Sequence, residues 1–204
     1  MKNIKRYKEL FESQTELTPE QIKWLDECTP GNWTLNPQTG LVDVDGSFYC
    51  YSQNLTDFKG VRFGVVSGSF HCYRNKLTSL KGAPQEVRGS FDCHNNELTS
   101  LKDAPLKVES DFYCGNNELT SLEGAPQEVG GRFYCPGNPV SESVLKSLYK
   151  KMQSGMSWPD AVARQWKYIR SEDDKILLAP YNSSLSPDEK AYYQAIGALK
   201  RRSI

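Results

Sequence analysis

Apolar residues return along this chain with a period of 21 to 22 positions. Cys50, Cys72, Cys93, Cys114 and Cys135 mark the period, and other columns keep step with them. Six residues before each cysteine stands Val44, Val66, Val87, Val108 or Val129, and two before stands Phe48, Phe70, Phe91, Phe112 or Phe133. Three after come Gln53, Asn75, Asn96, Asn117 and Asn138, and five after come Leu55, Leu77, Leu98, Leu119 and Val140. A fixed period in this range is the mark of a repeat architecture, in which no unit buries its apolar side alone and stacked units share one core.

The unit V-x-G-S-F-x-C-x-x-N-x-L-T-S-L-x-G-A-P predicts a turn of a solenoid. Phe and Cys alternate with polar residues, so F-x-C predicts a short strand with both side chains inward. The Asn that follows can bond backbone groups left unpaired at a bend, and stacked copies predict an asparagine ladder. Leu-Thr-Ser-Leu adds two inward anchors. Gly82 and Gly124 permit unusual backbone angles, and Pro84, Pro105 and Pro126 exclude helix, so this stretch turns the chain back.

The flanks read as caps on the exposed ends of the stack. All four tryptophans, Trp24, Trp33, Trp158 and Trp166, lie outside the regular repeats. Ile4, Tyr7, Leu10 and Phe11 have helical spacing within residues 2–13. Thr18-Pro19-Glu20-Gln21 is a capping box that opens a helix through Trp24 and Cys28. Residues 31–45 predict a hairpin turning at Pro37-Gln38-Thr39-Gly40. Ser141, Ser157-Trp158-Pro159-Asp160 and Ser186-Pro187-Asp188-Glu189 each open a helix, with a short segment around Ile176 between the last two. The expected organisation is an N-terminal helical and hairpin cap (1–43), a repeat solenoid (44–140) and an all-helical C-terminal cap (141–204). The fold class is an α/β solenoid with a parallel sheet of about five turns.

Charge and composition narrow the function. Lys and Arg number 25 and so do Asp and Glu, a balance that argues against a general nucleic-acid binder. No apolar run approaches the ~18 residues that span a bilayer, and the N-terminus has no apolar signal core. These features predict a soluble, cytoplasmic protein without a membrane partner.

The array resembles leucine-rich repeats of the short bacterial type, in which L-T-x-L-P recurs with an Asn at a fixed place. It is closer to the Cys-containing F-x-C-x-x-N-x-L-T-S-L-x-G-A-P arrays of tailed-bacteriophage proteins. The resemblance covers residues 44–140. Lys81, Lys102 and Glu123 stand where the bacterial effectors carry the proline after L-T-x-L, and the ligase domain of those effectors has no counterpart here. The resemblance implies a leucine-rich-repeat module, phage-encoded, that grips a host protein such as a defence factor inside the bacterial cell. Its alternative is a virion-packaged or structural phage protein. Leu10-Phe11-Glu12 before Ser13 resembles, over a short stretch, the cleavage site of capsid-targeting segments.

Candidate chemistry gathers on the outward positions of the F-x-C strands. The row before the cysteines reads Tyr49, His71, Asp92, Tyr113, Tyr134, and the row after reads Tyr51, Tyr73, His94, Gly115, Pro136. Both histidines of the chain fall on this stripe. Tyrosine offers a large rigid area with a polar tip, which suits a binding surface. Tyr49, Tyr51, His71, Tyr73, Asp92, His94, Tyr113 and Tyr134 are therefore the candidate partner-binding residues, with the short Ser47, Ser69 and Ser90 leaving room beside them. His71 and Asp92 with Ser69 or Ser90 also supply the residue types of a hydrolase. Successive outward positions on a strand are ~6.6 Å apart, too far for a nucleophile and its base. The expectation is a non-enzymatic protein. The cysteines lack the paired spacing of a zinc site, so they predict a buried, reduced column with no metal and no cofactor.

Overall fold

The computed structural model describes residues 16–202. Helix α1 (Pro19–Cys28) starts at Thr18, whose hydroxyl accepts from the Gln21 amide while Gln21 Oε1 accepts from the Thr18 amide. Its buried side, Trp24, Leu25 and Cys28, lies on the first turn of the solenoid, with the Trp24 ring edge-on to Phe48 at 5.4 Å. A hairpin follows. Strands β1 (Trp33–Leu35) and β2 (Val42–Val44) pair antiparallel, with Trp33 opposite Val44. The predicted helix over 2–13 and the Glu12-Ser13 site lie outside the described residues.

From β2 onward the chain winds as a β-solenoid of about four turns. Two strands form in each turn where the sequence predicted one. β4 (Phe63–Val66), β6 (Glu86–Val87), β8 (Lys107–Val108) and β10 (Glu128–Val129) extend the hairpin into a six-stranded sheet, here called sheet A. β3 (Phe48–Tyr49), β5 (Phe70–His71), β7 (Phe91–Asp92), β9 (Phe112–Tyr113) and β11 (Phe133–Tyr134) form the five-stranded, all-parallel sheet B. In-register pairing sets each column residue on its own copy one turn away, as in Phe70 on Phe91 and Val87 on Val108.

That register explains the conserved chemistry of the columns within the chain. Phe48, Phe70, Phe91, Phe112 and Phe133 stack nearly parallel, with ring centroids 5.1–5.7 Å apart. Phe48, Phe70, Phe91 and Phe112 are fully buried, which contributes ~1.5–3 kcal/mol each, and Phe133 is partly buried. The asparagines form the expected ladder. Asn96 donates to Cys72 O at 3.0 Å and Cys93 O at 3.1 Å, and its Oδ1 accepts from the Leu77 amide at 3.0 Å. Gln53 ends this ladder by accepting from Trp24 Nε1 at 2.8 Å. The returning Leu-Thr-Ser-Leu side buries its leucines without forming a strand. Gly124 closes one such turn at φ +80°, where a Cβ would lie 2.4 Å from Lys102 Cα.

Helix α2 (Glu142–Gln153), α3 (Trp158–Gln165), a 3₁₀ turn (Trp166–Tyr168), α4 (Glu172–Leu178), a second 3₁₀ turn (Ala179–Tyr181) and α5 (Pro187–Arg202) follow. Tyr149 of α2 stacks on Phe133 at 3.9 Å and ends the phenylalanine column. Ser141 precedes α2 as predicted, but its own hydroxyl does not cap the helix. The buried Asp174 of α4 instead accepts from the Ser141 amide at 2.9 Å and hydroxyl at 2.7 Å, tying the two helices together.

Candidate functional site

The two sheets present different outer faces. On sheet A, Glu86, Lys107 and Glu128 share one row, and Lys107 Nζ lies 2.9 Å from Glu109 while Arg88 Nε lies 3.4 Å from Glu86. Lys107 thus pairs with Glu109, and Arg88 with Glu86. The outer face of sheet B carries the predicted stripe, and the structure brings most of it together.

Parallel register turns the stripe into two ring stacks. Tyr51, Tyr73 and His94 form one, with centroids 4.8 and 4.7 Å apart. Tyr49 stacks on His71 at 5.2 Å and forms the other. Tyr49 and Tyr51 meet edge-on at 6.5 Å. The side chains therefore stand like plates in a rack, and solvent sees their edges. Tyr49, Tyr51 and Tyr134 are exposed, whereas His71, Tyr73, Asp92, His94 and Tyr113 are half-buried. A depression of about 520 Å³ opens over Tyr49, Tyr51, His71, Tyr73, Arg74, Asp92 and His94.

Asp92 sits beneath both histidines. His94 Nδ1 lies 2.5 Å from Asp92 Oδ1, and His71 Nδ1 lies 3.9 Å from Oδ2. Burial pushes the Asp92 carboxyl up, but contacts from His71 and His94 outweigh it and hold the group below the usual carboxylate range. Tyr113 is apart from this group. Its hydroxyl donates to Asp111 Oδ2 at 2.7 Å, and its ring meets Tyr134 edge-on at 6.1 Å. Gly115 and Pro136 leave the second row without rings there.

The short serine column beside the stripe also makes bonds that run between turns. Ser47 Oγ accepts from the Ser69 amide at 2.9 Å, Ser69 Oγ from the Ser90 amide at 3.0 Å and Ser90 Oγ from the Asp111 amide at 3.3 Å. Asp111 continues the series to the Arg132 amide at 2.7 Å. These side chains staple the corner between the sheets. The Asp92–His94 contact was also missed, although two residues apart on a strand share a face.

The cysteines are buried and unpaired among the described residues. Burial raises the thiols of Cys50, Cys72, Cys93 and Cys114 well above their ordinary value, and pushes Cys135 up to about 12. Among the described residues, no group of three His, Cys, Asp or Glu is placed to hold a metal ion, and no helix is long and apolar enough to cross a membrane. No family model, curated protein or solved structure matches the chain.

Proposed function

We propose that this chain is a non-enzymatic, protein-binding module that uses the outer face of sheet B. One observation carries the reading: the depression on sheet B is walled by a racked set of tyrosines and histidines, whereas the depression of similar size beside sheet A, about 510 Å³, carries one ring, Trp33. Rigid aromatic side chains lose little entropy on contact and concentrate binding energy at interfaces. The resemblance of the repeat unit to leucine-rich repeats and to tailed-phage arrays favours a host protein, such as a defence factor, met in the bacterial cytoplasm. A hydrolase reading has less support, because Asp92 serves two histidines while Ser69 and Ser90 cap backbone amides.

The test is capture from bacterial lysate by the tagged full chain and by two double variants. Tyr73→Ala with Tyr113→Ala should weaken capture of the partner at least about tenfold. Gln85→Ala, at the exposed residue just before β6, with Glu128→Ala of β10 should leave it unchanged, since both lie on the sheet A side. Circular dichroism must show both variants folded, since Tyr73 is stacked between Tyr51 and His94. Loss with the second pair and not the first would move the partner off sheet B. Co-purification with capsids alone would favour the virion-packaged alternative.

A further inference from the structure

The ends of the two sheets are closed unequally. Sheet A begins with the antiparallel strand β1, which covers β2. At the far end of sheet B, Tyr149 lies on Phe133 and Lys146 Nζ lies 5.6 Å above the Tyr134 ring. Among the described residues the near end of sheet B has no such cover: β3 is its terminal strand.

Three ladders run off that edge. The Phe48, Cys50 and Ser52 amides all donate to the next turn, to Ser69 O, His71 O and Tyr73 O at 2.8–3.0 Å. Strand alternation therefore points the N–H and C=O groups of Tyr49 and Tyr51 outward, away from the sheet. Among the described residues, no further ring and no cation lies on the outer faces of Tyr49 and Tyr51, which are 50% and 44% exposed. The amide at Ser69, Ser90 and Asp111 is capped by a serine of the preceding turn, and Ser47 has no preceding turn. The inward columns are sealed, since Trp24 covers Phe48 and Gln53 bridges Trp24 to Cys28.

We propose that the edge of β3 is a strand-addition site for an extended peptide segment of a protein partner, bound parallel to β3. The ladders specify its chemistry. A hydroxyl side chain faces the Ser47 amide. Flat side chains two and four residues later continue the Tyr49 and Tyr51 stacks. The residues between them are small, because α1 leaves no room inward. Main-chain bonds to an exposed edge supply affinity and alternate side chains supply specificity. The proposal deepens the reading of sheet B as the partner face and rests on it through Tyr49 and Tyr51.

The probe is the blocked peptide Gly-Ser-Gly-Tyr-Ala-Tyr-Gly, added to the ¹⁵N-labelled full chain. Saturable shifts should centre on the Ser47, Tyr49 and Tyr51 amides, and exchange of the latter two should slow about tenfold or more. N-methylation at the alanine, whose amide meets Tyr49 O, should abolish binding, while N-methylation at the second tyrosine should not. Tyr49→Ala with Tyr51→Ala should weaken the peptide about tenfold, and Glu128→Ala on sheet A should leave it unchanged. Absence of saturable shifts, or equal loss from both N-methylations, would overturn the edge site. Partner capture that depends on Tyr73 and Tyr113 would still stand in that case, so the two readings fail separately.

Discussion

Asp92 and His94, two residues apart on one strand, meet through Oδ1 and Nδ1 at 2.5 Å, and this contact anchors the centre of the sheet B face. It also fixes the sign of one pH effect. The Asp92 carboxyl is held below its ordinary value of about 3.9. A carboxylate depressed by folding contributes stability that is present above its unfolded value and is lost as pH falls through the folded value. Urea unfolding of wild type should therefore weaken below pH ~4, and Asp92→Asn should lack that part of the decline. A carboxyl NMR titration with an Asp92 midpoint above ~4 would contradict the geometry.

The thiol column gives a second prediction. Burial raises these thiols, so a thiol reagent at pH 8 should label Cys50, Cys72, Cys93 and Cys114 slowly in the native protein and rapidly in urea. Cys93 Sγ lies 3.4 Å from Tyr113 O, a ready acceptor. Serine at 93 can use it, and Cys93→Ser should fall at the low end of the ~1–3 kcal/mol cost of a buried hydroxyl. Cys72 is equally buried, and among the described residues no carbonyl accepts from its thiol as Tyr113 O does from Cys93, so Cys72→Ser should cost more. Denaturant midpoints of the two variants decide the order.

How far the sequence reveals this molecule depends on whether a feature spans one turn or two. The period shows itself because Phe, Cys, Asn and Leu are large or chemically distinct, and each was placed on its proper side. The strands that extend the hairpin into sheet A were not foreseen because Glu86–Val87 and its equivalents carry one inward residue, the valine, whereas F-x-C carries two and so shows alternation. The ring stacks and the serine staples arise between turns. They follow from parallel register, which sets Tyr51 on Tyr73 and Ser47 against Ser69. The columns already held that information, but reading each turn alone presents the tyrosines as separate outward anchors. Asp174 capping α2 across 33 residues left no local signal at all.

The asparagine ladder should be the costliest polar feature to disturb. Asn96 serves a buried amide and two carbonyls from adjacent turns. Asn96→Ala strands the Leu77 amide, and an unsatisfied buried group costs ~1–3 kcal/mol. Asn96→Asp keeps that acceptor but sets a carboxylate oxygen against the Cys72 and Cys93 carbonyls, so it should lower the urea midpoint further at pH 7. At pH 3 protonation restores one donor and the aspartate variant should recover relative to alanine. Equal effects of both substitutions at both pH values would show that Asn96 only fills space.

The C-terminal helices should be required for a soluble solenoid, and Tyr149 is where that requirement concentrates. Its ring closes the phenylalanine column on Phe133, and its hydroxyl donates to Pro126 O at 3.2 Å. Gln153 Nε2 donates to the same carbonyl at 3.1 Å, so Tyr149→Phe leaves Pro126 O with a partner and should cost no more than ~1 kcal/mol. Tyr149→Ala removes the ring and opens a cavity against Phe133, a loss of ~3–5 kcal/mol by analogy with other buried aromatics. Deleting 141–204 uncovers the whole last turn, and a solenoid without its cap loses solubility. The truncated chain should aggregate or bind a hydrophobic dye, with the alanine variant intermediate between it and wild type. If residues 1–140 instead stayed monomeric and unfolded cooperatively, Phe133 would need no cover and the helices would have to serve another purpose.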